Sequence, residues 1–494
     1  MNITWVRDMA YAVVGLARAG HVEEARAALA FQVAAGPGRH TAAVGRPYRL
    51  SVTRYFGDGQ EESDCNEHGP NIEFDGFGLF LWSVGEYLRA GGDLEVVRGW
   101  WPTIRDEVAD VLVALVDADG VIKADSSIWE VHWNGRQRKF TYTSLAAARG
   151  LCDAAEVATL LGATSDAARY AAAGAGIRDA VVTGHASPDG VLAQSAEDLA
   201  AGAGYLDAAT VEAVNWGIVA PAGRISVATL GAIQAQLLVP SGMGFMRNDD
   251  NGWYDSQEWV FVDLRMVPAL RAAGQGARAE TLLAWVEGQA LANDQHVAEL
   301  HDATTAAYAG SIPMAGFGAG AYLVALSGDV LPAACGSHAP ESPRVDGGSN
   351  PADAGSGDAA SPTRDAGPTA DAGLAVDGAV RADAAARRDG AAGPDATPPA
   401  GDAGLPVDAA GGGDAAPTGV DVGTGGPDAA HPADGGTGRS EGGWVPVERP
   451  DGGGDDGNPG PCGCAGATTT SPAGGTVALL ALGVWSRARR RVRR

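Results

Sequence analysis

From Trp5 to about Leu331 the chain alternates apolar runs at helical spacing with polar, glycine-punctuated loops. Met9, Val13 and Leu16 lie at i, i+4, i+7 between Asp8 and Ala19, Gly20 closes the run, and His21 to Ala35 follows, which predicts a helical hairpin. After a polar loop from Gly36 to Asn71, Glu73 to Ala90 predicts a helix that Gly91-Gly92 stops. Asp93 caps the next, whose Leu94, Val97, Trp101, Ile104, Val108, Val111 and Leu115 form a one-sided stripe. The pattern continues with helices over Phe140 to Leu161, Ser165 to Val182, Thr210 to Ile218, Ile225 to Leu238, Asp255 to Ala273, Arg278 to Leu291 and Met314 to Leu326. Strand-like alternation is nearly absent, so the fold class is all-α.

Long loops stand ahead of every second helix, and there is no fixed repeat of about 30 to 45 residues, which argues for a closed toroid with one functional rim over a solenoid. Four polar clusters mark that rim: Trp5-Val6-Arg7-Asp8, Ser126-Ser127-Ile128-Trp129-Glu130, Arg247-Asn248-Asp249-Asp250 and Glu299-Leu300-His301-Asp302. A carboxylate set in an apolar wall beside an indole gives an acid with a raised pKa and a flat face for a pyranose, the requirements of a sugar-cleaving site. Ile128 and Trp129 stand ready to desolvate Glu130, with Trp133 near. Taken alone, Trp-Glu is also what half-buried packing beside a solvated charge looks like, and Asp8 is also a helix-start carboxylate paired to Arg7.

These motifs carry a resemblance. Trp5-Val6-Arg7-Asp8 with Glu23-Glu24-Ala25 downstream, Glu73-Phe74-Asp75-Gly76-Phe77-Gly78, and Ser127-Ile128-Trp129-Glu130 followed by Phe140-Thr141-Tyr142-Thr143-Ser144 resemble the glucoamylase family of glycoside hydrolases, family 15. Gly244-Phe245-Met246-Arg247, Ala298-Glu299-Leu300-His301-Asp302 and Pro313-Met314-Ala315-Gly316 resemble its later motifs. The resemblance spans about Thr4 to Leu326 and implies an (α/α)6 toroid. It implies Glu130 as general acid and Glu299 as general base, with Trp5, Arg7, Asp8, Trp129 and Arg247 holding the sugar and Trp253 and Trp259 as possible stacking faces. No metal or cofactor is implied. Two departures stand out: Val131 replaces a glutamate that contacts the next sugar unit, and the small-residue run from Ala315 to Ala321 implies a more open inner wall. With about eleven helices and none ahead of Trp5, the six-hairpin ring is expected to lack its first helix.

The implied activity is release of glucose from the non-reducing ends of α-glucosides, with inversion. Trehalase-like or isomaltose-type hydrolysis is the alternative among enzymes, and a non-catalytic glycan-binding or structural surface module the alternative outside them.

Composition divides the chain. Residues 1–331 can bury a core, whereas 336–460 is nearly all Gly, Ala, Asp, Pro, Ser and Thr and reads as a disordered linker. The net charge of −26, with no basic stripe in the helical part, excludes nucleic acid as a partner. Five cysteines are too few and scattered for a disulfide framework; Cys65, Cys152 and Cys335 read as incidental thiols or at most one bridge. In 461–494, Cys462-Gly463-Cys464, an apolar run over Val477 to Val484 and six closing arginines resemble the C-terminal sorting tails of myxobacterial surface proteins. That resemblance implies membrane attachment, a sorting protease acting at Cys462 or Cys464, and an extracellular catalytic domain at the cell surface. Because Met1 runs directly into the first motif, an export signal and at least one helix are expected upstream of it.

Overall fold

The computed structural model describes residues 3–131, 135–310, 316–327 and 331–341. Trp133, Pro313-Met314-Ala315, nearly all of the expected linker and the whole C-terminal segment with Cys462 and Cys464 lie outside the described residues. Among the described residues no helix is long and apolar enough to cross a membrane.

The helices run α1 (Val6–Arg18), α2 (Val22–Ala34), α3 (Asp75–Arg89), α4 (Leu94–Ile104, continued through a π turn and Asp110–Ala114), α5 (Thr141–Leu161) and α6 (Thr164–Gly184). Then come α7 (Glu212–Asn215, extending a 3-10 turn over Ala208–Val211), α8 (Arg224–Gln236), α9 (Val260–Ala272), α10 (Gly276–Ala292) and α11 (Gly316–Ser327). The sequence signals act as expected at their ends. Asp93 caps α4 by accepting from the backbone N–H of Glu95 and Val96. Asp8 and Arg18 stand at the positive and negative ends of α1.

Contacts between elements sort these helices into two layers. α1 packs on α3, α3 on α5, α5 on α7, α7 on α9, α9 on α11 and α11 on α1, so six inner elements close a ring. α2, α4, α6, α8 and α10 lie outside it, as in the expected (α/α)6 toroid. Six inner and five outer helices leave one of the twelve places of the toroid without a helix among the described residues, as expected, while the inner ring is complete. The fourth inner element, expected as a helix over Thr210 to Ile218, is a four-residue helix on a 3-10 turn.

Inner helices have no solvent face. Nearly every residue of α5 from Thr141 to Ala158 is buried, whereas α6, outside it, buries only Tyr170, Gly174, Ile177, Arg178, Val181 and Val182. Close approach needs small residues. A Cβ on Gly78 of α3 would stand 2.3 Å from the Ala146 carbonyl oxygen of α5, and one on Gly320 of α11 would stand 2.5 Å from the backbone of Tyr11. The small-residue run of α11 therefore tightens the wall against α1, where an opening was expected. At the ring's centre the Glu212 carboxylate accepts from Arg265 at 2.5 and 2.8 Å and from the Tyr11 hydroxyl at 2.8 Å, so the buried charge is paired.

Strand-like alternation was expected to be nearly absent, yet short strands occur in the loops: β1 (Ile3–Trp5), β2 (Arg54–Phe56), β3 (Glu61–Glu62), β4 (Cys65–Asn66), β5 (Gly69–Pro70), β6 (Glu258–Trp259), β7 (Leu300–His301) and β8 (Tyr308–Ala309). They form sheets in the orders β1-β2-β3, β4-β5 and β6-β7-β8, each antiparallel. Segments of two or three residues are too short to show a period of two.

After α11 the chain returns along the ring. Leu331 N–H donates to Asn215, Ala334 N–H to Gly217 and Ala339 N–H to Ile218, while Arg149 and Arg178 hold the carbonyls of Pro332 and Ala334 at 3.0 Å each. Cys335 is bonded to Cys152 of α5 across a sequence separation of 183 residues. Cys65 is disulfide-bonded as well, so the expectation of at most one bridge is corrected: sequence spacing carries no information on pairings made across a ring. Cys152→Ser is expected to cost about 2–4 kcal/mol, read as a lower urea midpoint under non-reducing conditions.

Candidate active site

Every residue singled out in the four clusters precedes an inner helix or sits in its first turn, which brings them to one rim. β1 delivers Trp5 to the start of α1, so Arg7 and Asp8 fall in its first turn. The loop ahead of α5 turns sharply at Ser127 and Glu130, whose φ values of 53° and 54° are in the left-handed region. Non-glycine residues held there cost on the order of 1–3 kcal/mol, and such outliers collect at functional sites. The turn is fixed from below: Asp125, fully buried, accepts from Phe74 N–H at 2.9 Å and from the Thr143 hydroxyl at 2.9 Å. Glu299 is carried into the rim by the β6-β7 pair, with Val260 N–H bound to its carbonyl at 3.3 Å.

Glu130 is half-buried. Its Oε1 accepts from the Trp5 indole N–H at 3.0 Å and lies 3.9 Å from the Arg7 guanidinium. The indole that serves Glu130 is therefore Trp5. Trp129, expected to desolvate it, is buried, with its N–H donated to Asp207 at 3.0 Å. Arg7 is pinned by two carboxylates behind it, Glu73 at 2.6 Å and Asp75 at 3.1 Å. Burial opposes its charge, but Glu73 and Asp75 outweigh that and hold its pKa above the ordinary arginine value.

Arg247 sits among aromatic faces, 4.9 Å from the ring centre of Trp259, 5.1 Å from Trp129 and 5.8 Å from Tyr254, with its Nε bound to Asp255 at 2.6 Å. Trp259 is 4% exposed and carries Arg247 over its ring, whereas Trp253 stands edge-on to Tyr254 and is 56% exposed.

Electrostatic effects link the clusters to one another. Burial pushes Glu299 up to about 7, Asp8 adds to the shift, Arg247 opposes it and Glu130 adds again. Burial likewise pushes Asp8 up to about 6, against Arg7 and with Glu130. Glu130 and Asp8 therefore lie close enough to bear on the charge of Glu299. Arg7 and Arg247 are already engaged by other carboxylates, so the pocket is acidic, suited to a cationic transition state at an anomeric carbon. Among the described residues no group of three or more His, Cys, Asp or Glu is arranged to hold a metal ion.

Residues absent from the sequence-based set are Glu73 and Asp75 behind Arg7, Asp207 behind Trp129, and Asp255 and Tyr254 around Arg247. Glu73 and Asp75 stood inside a motif already singled out, so the signal was available for those two.

The family model for glycosyl hydrolases family 15 matches residues 2–254, just over half of the chain. The chain belongs to that family. It is a glycoside hydrolase. No curated protein matches it. Among solved structures, a wild-type glycosidase is similar with 24% identity and a TM-score of 0.52, over 66% of this chain and 87% of its own. The glucoamylase of Saccharomycopsis fibuligera is similar at 11% identity and TM-score 0.51, over 65% and 85%. The family 15 glucoamylase of Hypocrea jecorina is similar at 12% and 0.53, over 69% and 67%. These likenesses concern the fold of the family 15 hydrolase.

Glu299 also links the site to stability. Its folded pKa of about 7 exceeds the ordinary carboxylate value, so the folded state holds that proton where the unfolded chain has released it. The associated stability is full at acidic pH and lost as pH rises through about 7. Glu299→Gln, which cannot ionise, is expected to raise the melting temperature above that of the native chain at about pH 8 and to give no such gain at about pH 4, by calorimetry.

Proposed function

We propose that this family 15 hydrolase is an exo-acting, inverting α-glycosidase that releases glucose from the non-reducing ends of α-glucosides. The observation that supports the reading is that Asp8, Glu130 and Arg247 all bear on the charge of Glu299, while the Trp5 indole is bonded to Glu130. Glu130, bonded to the Trp5 indole, protonates the leaving oxygen. Glu299 takes a proton from the attacking water. Asp8 and Arg7 grip hydroxyls of the terminal sugar from the first turn of α1, and Arg247 closes the opposite side. A bacterial glucoamylase solved with acarbose, similar at 14% identity and TM-score 0.50 over 68% of this chain and 50% of its own, supports a saccharide in this fold's pocket.

Inversion requires the two carboxyls to stand roughly 6.5–9.5 Å apart, leaving room for a water. Proton NMR of the first product from a panel of α-glucosides, trehalose and isomaltooligosaccharides included, tests the reading. β-Glucose appearing first is expected; α-glucose first, or a trapped glycosyl-enzyme, overturns it. With Glu299 as base, kcat/KM is expected to fall about tenfold per unit below a pH of about 7, measured as a pH–rate profile on free enzyme.

The terminal sequence supports a place for this activity at the cell surface. An apolar run over Val477 to Val484 followed by arginines is suited to a membrane, and Cys462 or Cys464 to a sorting protease.

A further inference from the structure

Behind the strand pair that carries Glu299 the molecule has a second concavity. A cleft of about 460 Å³ lies between the outer helix α10 and the β7-β8 hairpin, lined by Trp285, Gly288, Gln289, Asn293, His301 and Tyr308 among others. Its chemistry is specific in three respects. Two aromatic side chains border it, and Tyr308 is 41% exposed, a large apolar face open to solvent. Its lining contains neither lysine nor arginine, so it offers nothing to a phosphate or carboxylate. Two side chains of its lining are deeply buried and carry atoms that have no hydrogen-bond partner among the described residues, the Oε1 of Gln289 and the Nδ1 of His301, in residues 7% and 3% exposed. Such atoms are costly to bury unless something in the cleft pairs with them. The other ends of this wall are held: Trp285 and Gln289 both donate to Glu258 at 2.8 Å, and Glu258 is the cross-strand neighbour of His301.

We propose that this cleft is a second carbohydrate-binding site, which holds a neutral stretch of the substrate chain away from the end being cleaved. A pyranose presents C–H faces to Tyr308 and Trp285 and hydroxyls that donate to the Gln289 oxygen and pair with the His301 nitrogen, with no charge to neutralise. The α-glucan identity of that chain rests on the function proposed above; the class of ligand, an uncharged saccharide, rests on the cleft.

Cyclohexaamylose separates the two sites because a ring of α-linked glucose has no non-reducing end for an exo-acting pocket. The full chain is titrated with cyclohexaamylose and with maltoheptaose, reading tryptophan emission and calorimetric heat. Tyr308→Ala removes the exposed ring. Gly288→Leu fills the cleft from the solvent face of α10, where a Cβ would meet nothing within 4 Å and leucine is the better helix former. The native chain is expected to bind the ring saturably, and each variant at least about tenfold more weakly. Gly288→Leu is expected to keep the hydrolysis rate on an aryl α-glucoside while its KM on soluble starch rises. Failure of cyclohexaamylose and maltoheptaose alike to bind outside the catalytic pocket, or equal affinity in both variants, overturns the site. If the chain hydrolyses no α-glucoside yet binds cyclohexaamylose through Tyr308 and the Gly288 face, the site stands and the proposed activity falls.

Discussion

Glu299→Gln is expected to lower kcat on every α-glucoside by about 100- to 10,000-fold, the usual weight of a positioned proton acceptor. Water must lose a proton as it attacks, whichever group leaves, so the loss should not depend on the leaving group. Glu130→Gln is expected to behave differently. The glutamine amide can still receive the Trp5 indole N–H but has no proton to give, so maltose, with a poor leaving group, should suffer a loss of similar size. An aryl glucoside whose phenol leaves without protonation should be nearly spared. Both losses should fall on kcat more than on KM, because Arg7 and Asp8 still hold the sugar. Steady-state kinetics on the two substrates decide the matter. A Glu130→Gln variant equally impaired on both would remove that residue from the role of acid.

Arg7→Met is expected to have the largest effect on stability, about 3–5 kcal/mol, because it strips the countercharge from two carboxylates at once. The Glu73 side chain is 3% exposed and that of Asp75 is 1% exposed, so neither can turn to water. Glu73 is already pushed above the ordinary carboxylate value by burial, with Arg7 the main force holding it down. Without Arg7 it should take up a proton, and the variant's deficit should shrink as pH falls. Adding Glu73→Gln to Arg7→Met should recover part of the urea midpoint at neutral pH. It should recover no activity, since the donor to the sugar stays absent. Recovery of both would mean that Arg7 is structural only.

The rim was legible where chemistry is contiguous in sequence. Trp5, Arg7, Asp8, Trp129 and Glu130 stand in short motifs; the structure places the first three at the start of α1 and the last two in the loop ahead of α5, with Glu130 bonded to Trp5. What could not be read is what lies behind them. Arg7 and Glu73 are 66 residues apart, and Trp129 and Asp207 are 78 apart, so nothing local marks either pair. The inward helices were legible because burial on all sides leaves an apolar run of helical length, as in α5. Their order in the ring, and the closing contact of α11 on α1, depend on glycines that look locally like breakers: Gly320 is small because Tyr11 backbone lies against it. The role given to Trp129 shows the limit of adjacency. It stands next to Glu130 in the chain, yet its indole N–H is donated to Asp207, 78 residues on, and it is Trp5, 125 residues before Glu130, whose indole bonds that carboxylate.

The return of the chain across the ring has a mechanical consequence. The last helix of the toroid, α11, is joined to residue 331 by a short connection, and an ordinary chain pulled from its C-terminal side would shed that helix first. Here any tension applied beyond residue 341 meets Glu341 bound at the start of α8, then the sulfur bridge to α5, before it can reach α11. Load is thus delivered to the long α5–α6 pair in mid-ring, leaving the wall between α1 and α11, and with it Asp8, outside the path of force.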